Sequence, residues 1–298
     1  MDIFRFRDRV GVLDERSEHF LKTVAWLGGY VTPEQAQELG IRNSVTRVHV
    51  QLKDLESWGF IKPVSAYPTI YQVTTSVTRL LGADLAARRQ HTLETIRTRL
   101  LTINFYLEAI RWPVKFVLDH NQKISKLWEV VAEPALLPYR GSKPYLWQDL
   151  VLQRPSGEVI FTMVDHFGRH SYRQLYRHLK RFAPVLGPDD LGLMIVVSSE
   201  RREQLFRRKL NHARLQRLLE QQGLELPVGD MVTIYRVRRA VPVVRPLITN
   251  RQQLRELRAR RLANRGLADP QKQTTDVIHN NGTHTNTDVS SEEGGVRC

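Results

Sequence analysis

The chain has 298 residues, is 41% hydrophobic, and carries 45 Lys and Arg against 31 Asp and Glu, a net charge of +14. That length suits about two domains of ~100–200 residues, and the apolar share is enough for a buried core, so global disorder is excluded. The charge favours a polyanionic partner, and the longest apolar run, Leu191 to Val197, is far below the ~20 residues that span a bilayer, so a membrane partner is not expected.

Met1 to Arg7 alternates charged and apolar residues, unlike a signal peptide, and a cytoplasmic location is the expectation. The one cysteine, Cys298, gives no disulfide framework and no thiolate zinc site.

Taken in chain order, residues 16–27 set Phe20, Leu21, Val24 and Leu27 at helical spacing before Gly28-Gly29, which predicts a first helix. Thr32-Pro33-Glu34-Gln35 combines an N-cap, a proline at the first helical position and a capping-box glutamine, so a short second helix is expected to reach about Leu39 and stop at Gly40. Asn43 or Ser44 can cap a third helix that runs to Trp58 before Gly59, with Val45, Val48, Leu52 and Leu55 as its inner face. Phe60–Val64 and Thr69–Thr75 are β-prone runs joined by Ser65-Ala66-Tyr67-Pro68, a hairpin. Three helices and a hairpin predict a winged helix-turn-helix over residues 16–82.

In such a unit a packed inner face holds the last helix while the outer face of its first turns enters the major groove of double-stranded DNA. The residues expected outward are Arg42, Asn43, Ser44, Thr46, Arg47, His49 and Gln51, with Lys53 further on. Arg47 is the principal expected base contact, followed by Gln51 and Asn43, whose amides can bond adenine in two places. Lys62 and Tyr67 in the wing are expected at the DNA backbone. The bland alternative is a solvated polar face on a module that binds protein.

A long amphipathic helix over 86–112, with Leu93, Ile96, Leu100, Ile103, Leu107 and Ile110 on one side, is expected to link this unit to a second domain over 113–240. There the candidate strands are Val114–Leu118, Tyr145–Gln153, Val159–Asp165, Leu191–Ser198 and Met231–Val237, with helices near Tyr172–Leu186 and Glu200–Gln222. Arg154-Pro155-Ser156-Gly157 reads as a hairpin turn, and the rest alternates strand with helix. The expected class is therefore α+β or α/β with a mixed sheet.

The order of strand, hairpin, strand and helix resembles the core of PD-(D/E)xK nucleases, which implies Asp149 and Asp165 as candidate catalytic Mg²⁺ ligands. Phe167 stands where that resemblance calls for a lysine, and no cofactor is expected unless the nuclease reading holds. His166, His170 and His178 follow Asp165 but match no metal-ligand spacing, so solvated or phosphate-contacting histidines are expected. Tyr172 and Tyr176 lie one turn apart among Arg169, Arg173, Arg177, Lys180 and Arg181. They are candidate nucleophiles for strand transfer, although helical packing explains the spacing equally well.

From Arg236 to Arg265 there is one acid, Glu256. Thr249 or Asn250 caps a basic helix within 249–266 whose Arg251, Arg255, Arg258 and Arg261 are expected along phosphates. Residues 269–298 are too polar to pack and are expected to be a disordered tail. The tail is acidic on balance, so the preceding residues are more positive than the whole chain.

Together these features resemble the replication-relaxation family of plasmid and mobile-element proteins. The matching parts are Tyr71-Gln72-Val73-Thr74, His91, Gln148-Asp149-Leu150-Val151-Leu152, Met163-Val164-Asp165, the Tyr172–Phe182 helix and Ser198-Ser199-Glu200-Arg201-Arg202, spread over about residues 16–215. Where the family pattern has Glu and Pro, this chain has Met163 and Gln148. The resemblance implies work in plasmid replication or conjugative mobilisation. Other mobile-element proteins and a second copy of this chain are candidate partners. The expected function is sequence-preferring binding of double-stranded DNA in replication, mobilisation or transcription control. The alternatives are a metal-dependent endonuclease or nicking enzyme, and a protein-binding assembly adaptor.

Overall fold

A computed structural model describes residues 10–80, 91–130, 139–140, 143–144, 150–167, 176–177, 180, 191–211, 213, 217, 220–221 and 232–244. The chain divides into two compact units, Met1–Leu247 and Ile248–Cys298, and every described residue belongs to the first. The basic helix expected within 249–266 and the tail expected over 269–298 lie outside the described residues.

Local capping chemistry sets the first three helices. α1 (Glu15–Trp26) starts at Asp14, whose Oδ1 accepts from the Ser17 N–H at 2.7 Å. α2 (Pro33–Glu38) carries the expected capping box: Thr32 Oγ1 accepts from the Gln35 N–H at 3.2 Å, and Gln35 Oε1 accepts from the Thr32 N–H at 3.1 Å. α3 (Val45–Ser57) is capped by Ser44, whose hydroxyl accepts from the Arg47 N–H at 3.3 Å.

Gly40 and Gly59, at φ of 80° and 74°, end α2 and α3 in the left-handed conformation that glycine adopts without a Cβ penalty. After α3 the Gly59 N–H donates to Glu56 O and the Phe60 N–H to Leu55 O, both at 2.9 Å, which satisfies carbonyls the helix leaves open. The same pairing after α2 turns Ile41 inward, and Ile41 and Phe60 are both fully buried.

A small antiparallel sheet of order β1-β3-β2 closes this half, from β1 (Tyr30–Val31), β2 (Ile61–Ala66) and β3 (Thr69–Val73). β2 and β3 are the expected hairpin. β1 and the helix α4 (Thr75–Leu80) that follows the hairpin were not expected.

The linking helix is corrected. His91 and Thr92 are not helical, and α5 (Leu93–Ala109) begins at a Thr92 cap. Of the stripe expected to be buried, Leu93 and Ile110 are 39% and 53% exposed, while Leu101, Phe105, Tyr106 and Ala109, off that stripe, are buried with Ile96, Leu100, Ile103 and Leu107. α5 touches α2 and β1 on one side and the large sheet on the other, so nearly its whole circumference is covered. One hydrophobic cluster runs from Phe20 through Phe105 to Val196.

Polar groups fasten the same helix. Gln35 Nε2 donates to Leu100 O at 3.0 Å and to Asn104 Oδ1 at 2.7 Å, and Asn104 Nδ2 donates to Ala240 O at 3.2 Å. Glu108 accepts from the Tyr235 hydroxyl at 2.8 Å and from the N–H groups of Arg238 and Arg239. Burial, reinforced by the Glu108 carboxylate, pushes the Tyr235 hydroxyl pKa up to about 12.

The large sheet has order β10-β9-β8-β7-β4, from β4 (Lys115–Val117), β7 (Val151–Gln153), β8 (Val159–Asp165), β9 (Leu191–Val197) and β10 (Val232–Arg236). β8, β9 and β10 are parallel, and β7 runs antiparallel to both its neighbours, β8 and β4, giving the expected mixed sheet. β8 is buried along its entire length, as a central strand covered on both faces must be. The register pairs Asp165 with Val197 and Val197 with Arg236, so the parallel strands end on one edge.

The turn at Arg154 closes as expected, with the Gly157 N–H donating to Arg154 O at 2.9 Å. Of the strand expected over Tyr145–Gln153, residues 145–149 lie outside the described residues. α6 (His120–Val130) and the short pair β5 (Tyr139–Arg140) and β6 (Lys143–Pro144) were not expected, and α7 (Glu200–Leu210) follows β9 as expected. The whole is a mixed α+β fold, and among the described residues no helix is long and apolar enough to cross a membrane.

Candidate nucleic-acid interface

Val48, Leu52 and Leu55 are at most 1% exposed and anchor α3 to the core. At about 100° per residue, the direction opposite them is occupied by Thr46, Val50 and Lys53, with His49 on one flank and Arg47 on the other. All five are exposed, as are Asn43 and Ser44 just before the helix. The face therefore offers a hydroxyl, an imidazole, a guanidinium, an ammonium and the methyl groups of Val50, which is 55% exposed at its centre.

Three expectations about this helix are corrected. Val45, expected inward, is 58% exposed, because side chains tilt toward the helix start and a first-turn residue on the inner stripe points past the packed part of α3. Gln51, expected to reach adenine, is only 9% exposed, since its position lies on the edge of the inner stripe. Its Oε1 accepts from Arg42 Nη2 at 2.5 Å.

Arg42, expected on DNA, is committed to the fold. Nη2 also meets Asp14 Oδ2 at 2.5 Å and Nη1 donates to Ile41 O at 2.7 Å, tying the start of α1 to the approach to α3. Burial raises the Asp14 pKa, but the hydrogen bonds from Ser17 and Arg42 and the Arg42 charge outweigh it, so the carboxyl is held below its ordinary value. Val50 was missed by reading the helix for polar residues alone. Its phase, two residues after buried Val48 and two before buried Leu52, was the available signal.

β2 packs against α3, and the β2–β3 hairpin extends the surface. Lys62 is exposed, and Tyr67, at the hairpin tip, is 74% exposed. Just before α5, the Tyr30 hydroxyl of β1 lies 3.0 Å from His91 Nδ1, which ties the start of that helix to β1.

The remaining candidates are scattered. Asp165 is 3% exposed at the end of β8, and Tyr176 is helical and partly exposed with Arg177 and Lys180 near it in sequence. Asp149, Tyr172, His170, His178, Arg251, Arg255, Arg258 and Arg261 lie outside the described residues. Among the described residues no group of three His, Cys, Asp or Glu side chains is placed to hold a metal ion. No family model, curated protein or solved structure matches the chain.

Proposed function

We propose that the chain is a sequence-preferring double-stranded DNA-binding protein, in which residues 16–82 act as a winged helix-turn-helix, α3 as the recognition helix and the β2–β3 hairpin as the wing. The exposed N-terminal face of α3 carries this reading. Its opposite face is locked by Val48, Leu52 and Leu55, so Thr46, Arg47, His49, Val50 and Lys53 are held in a fixed array, and a fixed array of donors and methyl groups is what discriminates base edges.

Arg47 suits the paired acceptors of guanine, and the Val50 methyls suit the thymine 5-methyl. A β-branched residue on the exposed side of a helix adds little to helix stability, so the favourable place for Val50 is against an apolar group of the partner. Lys62, Tyr67 and the net charge of +14 supply phosphate attraction. The resemblance to replication-relaxation proteins supports a role on a plasmid or other mobile element.

The five-stranded sheet is read as a nuclease-like scaffold that supports binding, since Phe167 occupies the place of the lysine expected for cleavage. Selection from random duplexes tests the proposal: it should enrich one motif, whose affinity falls steeply with salt. Recovery of unenriched sequence would overturn it. The endonuclease alternative instead requires Mg²⁺-dependent nicking of supercoiled plasmid that Asp165→Ala abolishes.

A further inference from the structure

The edge where the parallel strands end brings together side chains from three elements, two of which, α5 and α7, supply positive charge. His166 and Phe167 continue directly from Asp165 at the end of β8. From α5, the Arg97 guanidinium carbon lies 5.7 Å from the centroid of the Phe167 ring, and the His166 ring meets the same phenyl edge-on with centroids 4.4 Å apart. From α7, Arg202, Phe206 and Lys209 recur at the spacing of one helix face. Phe206 is fully buried, and Lys209 Nζ lies 4.9 Å from its ring centroid, so this face turns inward.

Among the described residues three buried side-chain atoms of the cluster lack a hydrogen bond, the nitrogens Arg97 Nε and His166 Nδ1 and one oxygen, Oδ2, of Asp165, whose carboxylate is held by its other contacts. Buried polar groups are rarely left so, because each forfeits its hydration without replacement. Charge balance has the same sense. Glu203 of α7 is engaged by Arg207 and Arg236, and Glu200 by Arg236, whereas the charges that act on His166 are those of Arg97, Arg202 and Asp165, and those that act on Lys209 are those of Asp165 and Arg202, so among these described groups the cations outnumber the carboxylate. Burial, then the charges of Arg97 and Arg202, hold the His166 imidazole below its ordinary pKa against the pull of Asp165, so at neutral pH the ring is uncharged and able to donate one hydrogen bond.

An excess of half-buried cations, with two buried nitrogens lacking a partner, calls for an anion with several acceptor oxygens. Guanidinium groups match the tetrahedral oxygens of phosphate better than a spherical halide. The carboxyl ends of parallel strands are also where open α/β sheets take their ligands.

We propose that this edge is a phosphate-binding pocket, in which Arg97 and Arg202 hold the oxygens of a phosphate group while His166 and Lys209 complete its shell. The phosphate has two chemical sources, a nucleic-acid strand or free inorganic phosphate. The pocket does not rest on the DNA-reading role of α3.

The test uses the full chain and histidine imidazole NMR, with three probes: inorganic phosphate, a 5′-phosphorylated single-stranded oligonucleotide and its 5′-hydroxyl counterpart. The resonance that disappears in His166→Gln should shift saturably with phosphate, and its titration midpoint should rise. Arg202→Gln and Lys209→Gln should each weaken the response about tenfold or more, the loss of one charge-assisted contact, whereas Val50→Ala should leave it intact. A stronger response to the 5′-phosphorylated strand than to the 5′-hydroxyl strand assigns the pocket to strand ends, an equal response assigns it to backbone phosphates, and a response to inorganic phosphate alone assigns it to the free ion. A His166 signal unmoved by all three probes, or moved equally in Arg202→Gln, would overturn the proposal even if duplex binding through α3 holds.

Discussion

The two halves of the molecule use positive charge in opposite ways. On α3 the basic and polar groups stand exposed on one side of a helix whose other side is locked in the core, so a flat, extended partner can reach them all. At the end of β8, Arg97 and His166 lie against Phe167 and Lys209 against Phe206, with Arg202 half-buried on the same face of α7, which suits a small, compact anion. Exposed charge gives salt-sensitive attraction over a long surface, and sheltered charge gives a stronger interaction at one point.

The largest expected effect tests whether these halves are separable at all. Leu52→Ala empties part of the shared core and should lower unfolding free energy by about 2–5 kcal/mol. Urea denaturation should show a single transition, because one cluster runs from Phe20 to Val196; two transitions would mean that the halves fold independently. Next in size, Arg47→Ala should cost about 1–3 kcal/mol of discrimination on the selected duplex. The His166 response to phosphate should not change, and a change there would couple the two surfaces.

Removing the α3 cap with Ser44→Ala should cost about 1 kcal/mol of stability by the same denaturation assay. Val50→Ala should weaken binding to the selected duplex by about 1 kcal/mol, the scale of one or two buried methyl groups. Replacing the contacted thymine with deoxyuridine should produce the same loss, and the two changes together no further loss. Full additivity would separate Val50 from any thymine methyl.

The smallest effect is on pH. His166 and Asp14 both have lowered pKa values in the folded state, so each favours the fold when deprotonated. Their contributions are present above the unfolded values and fade on acidification, first for His166 below about pH 6.5 and then for Asp14 below about pH 4. Phosphate, by favouring the protonated imidazole, should reduce the first loss in a denaturation series from pH 7 to 5.

The same contrast explains what the sequence disclosed. Caps and stops are local, so Thr32-Pro33-Glu34-Gln35, Ser44, Gly40 and Gly59 marked their helices within a residue or two. Faces are less local. The sequence points Gln51 outward and Val45 inward, the reverse of what the fold shows, because both sit where the direction depends on what lies beyond the helix. In α5 a single apolar stripe was read on a helix that is covered on nearly every side, because two neighbours pack it and periodicity reveals only one. The cluster at the end of β8 was beyond reach, since Arg97, His166 and Arg202 meet only through sheet register and the docking of α5 and α7.

The central claim, that α3 reads sequence, is tested most directly by competition between the selected duplex and a base-shuffled duplex at about 150 mM salt. The wild-type chain should prefer the selected duplex strongly, and Arg47→Ala should keep its salt-dependent affinity while losing most of that preference. Equal affinity of the wild-type chain for both duplexes would contradict the account.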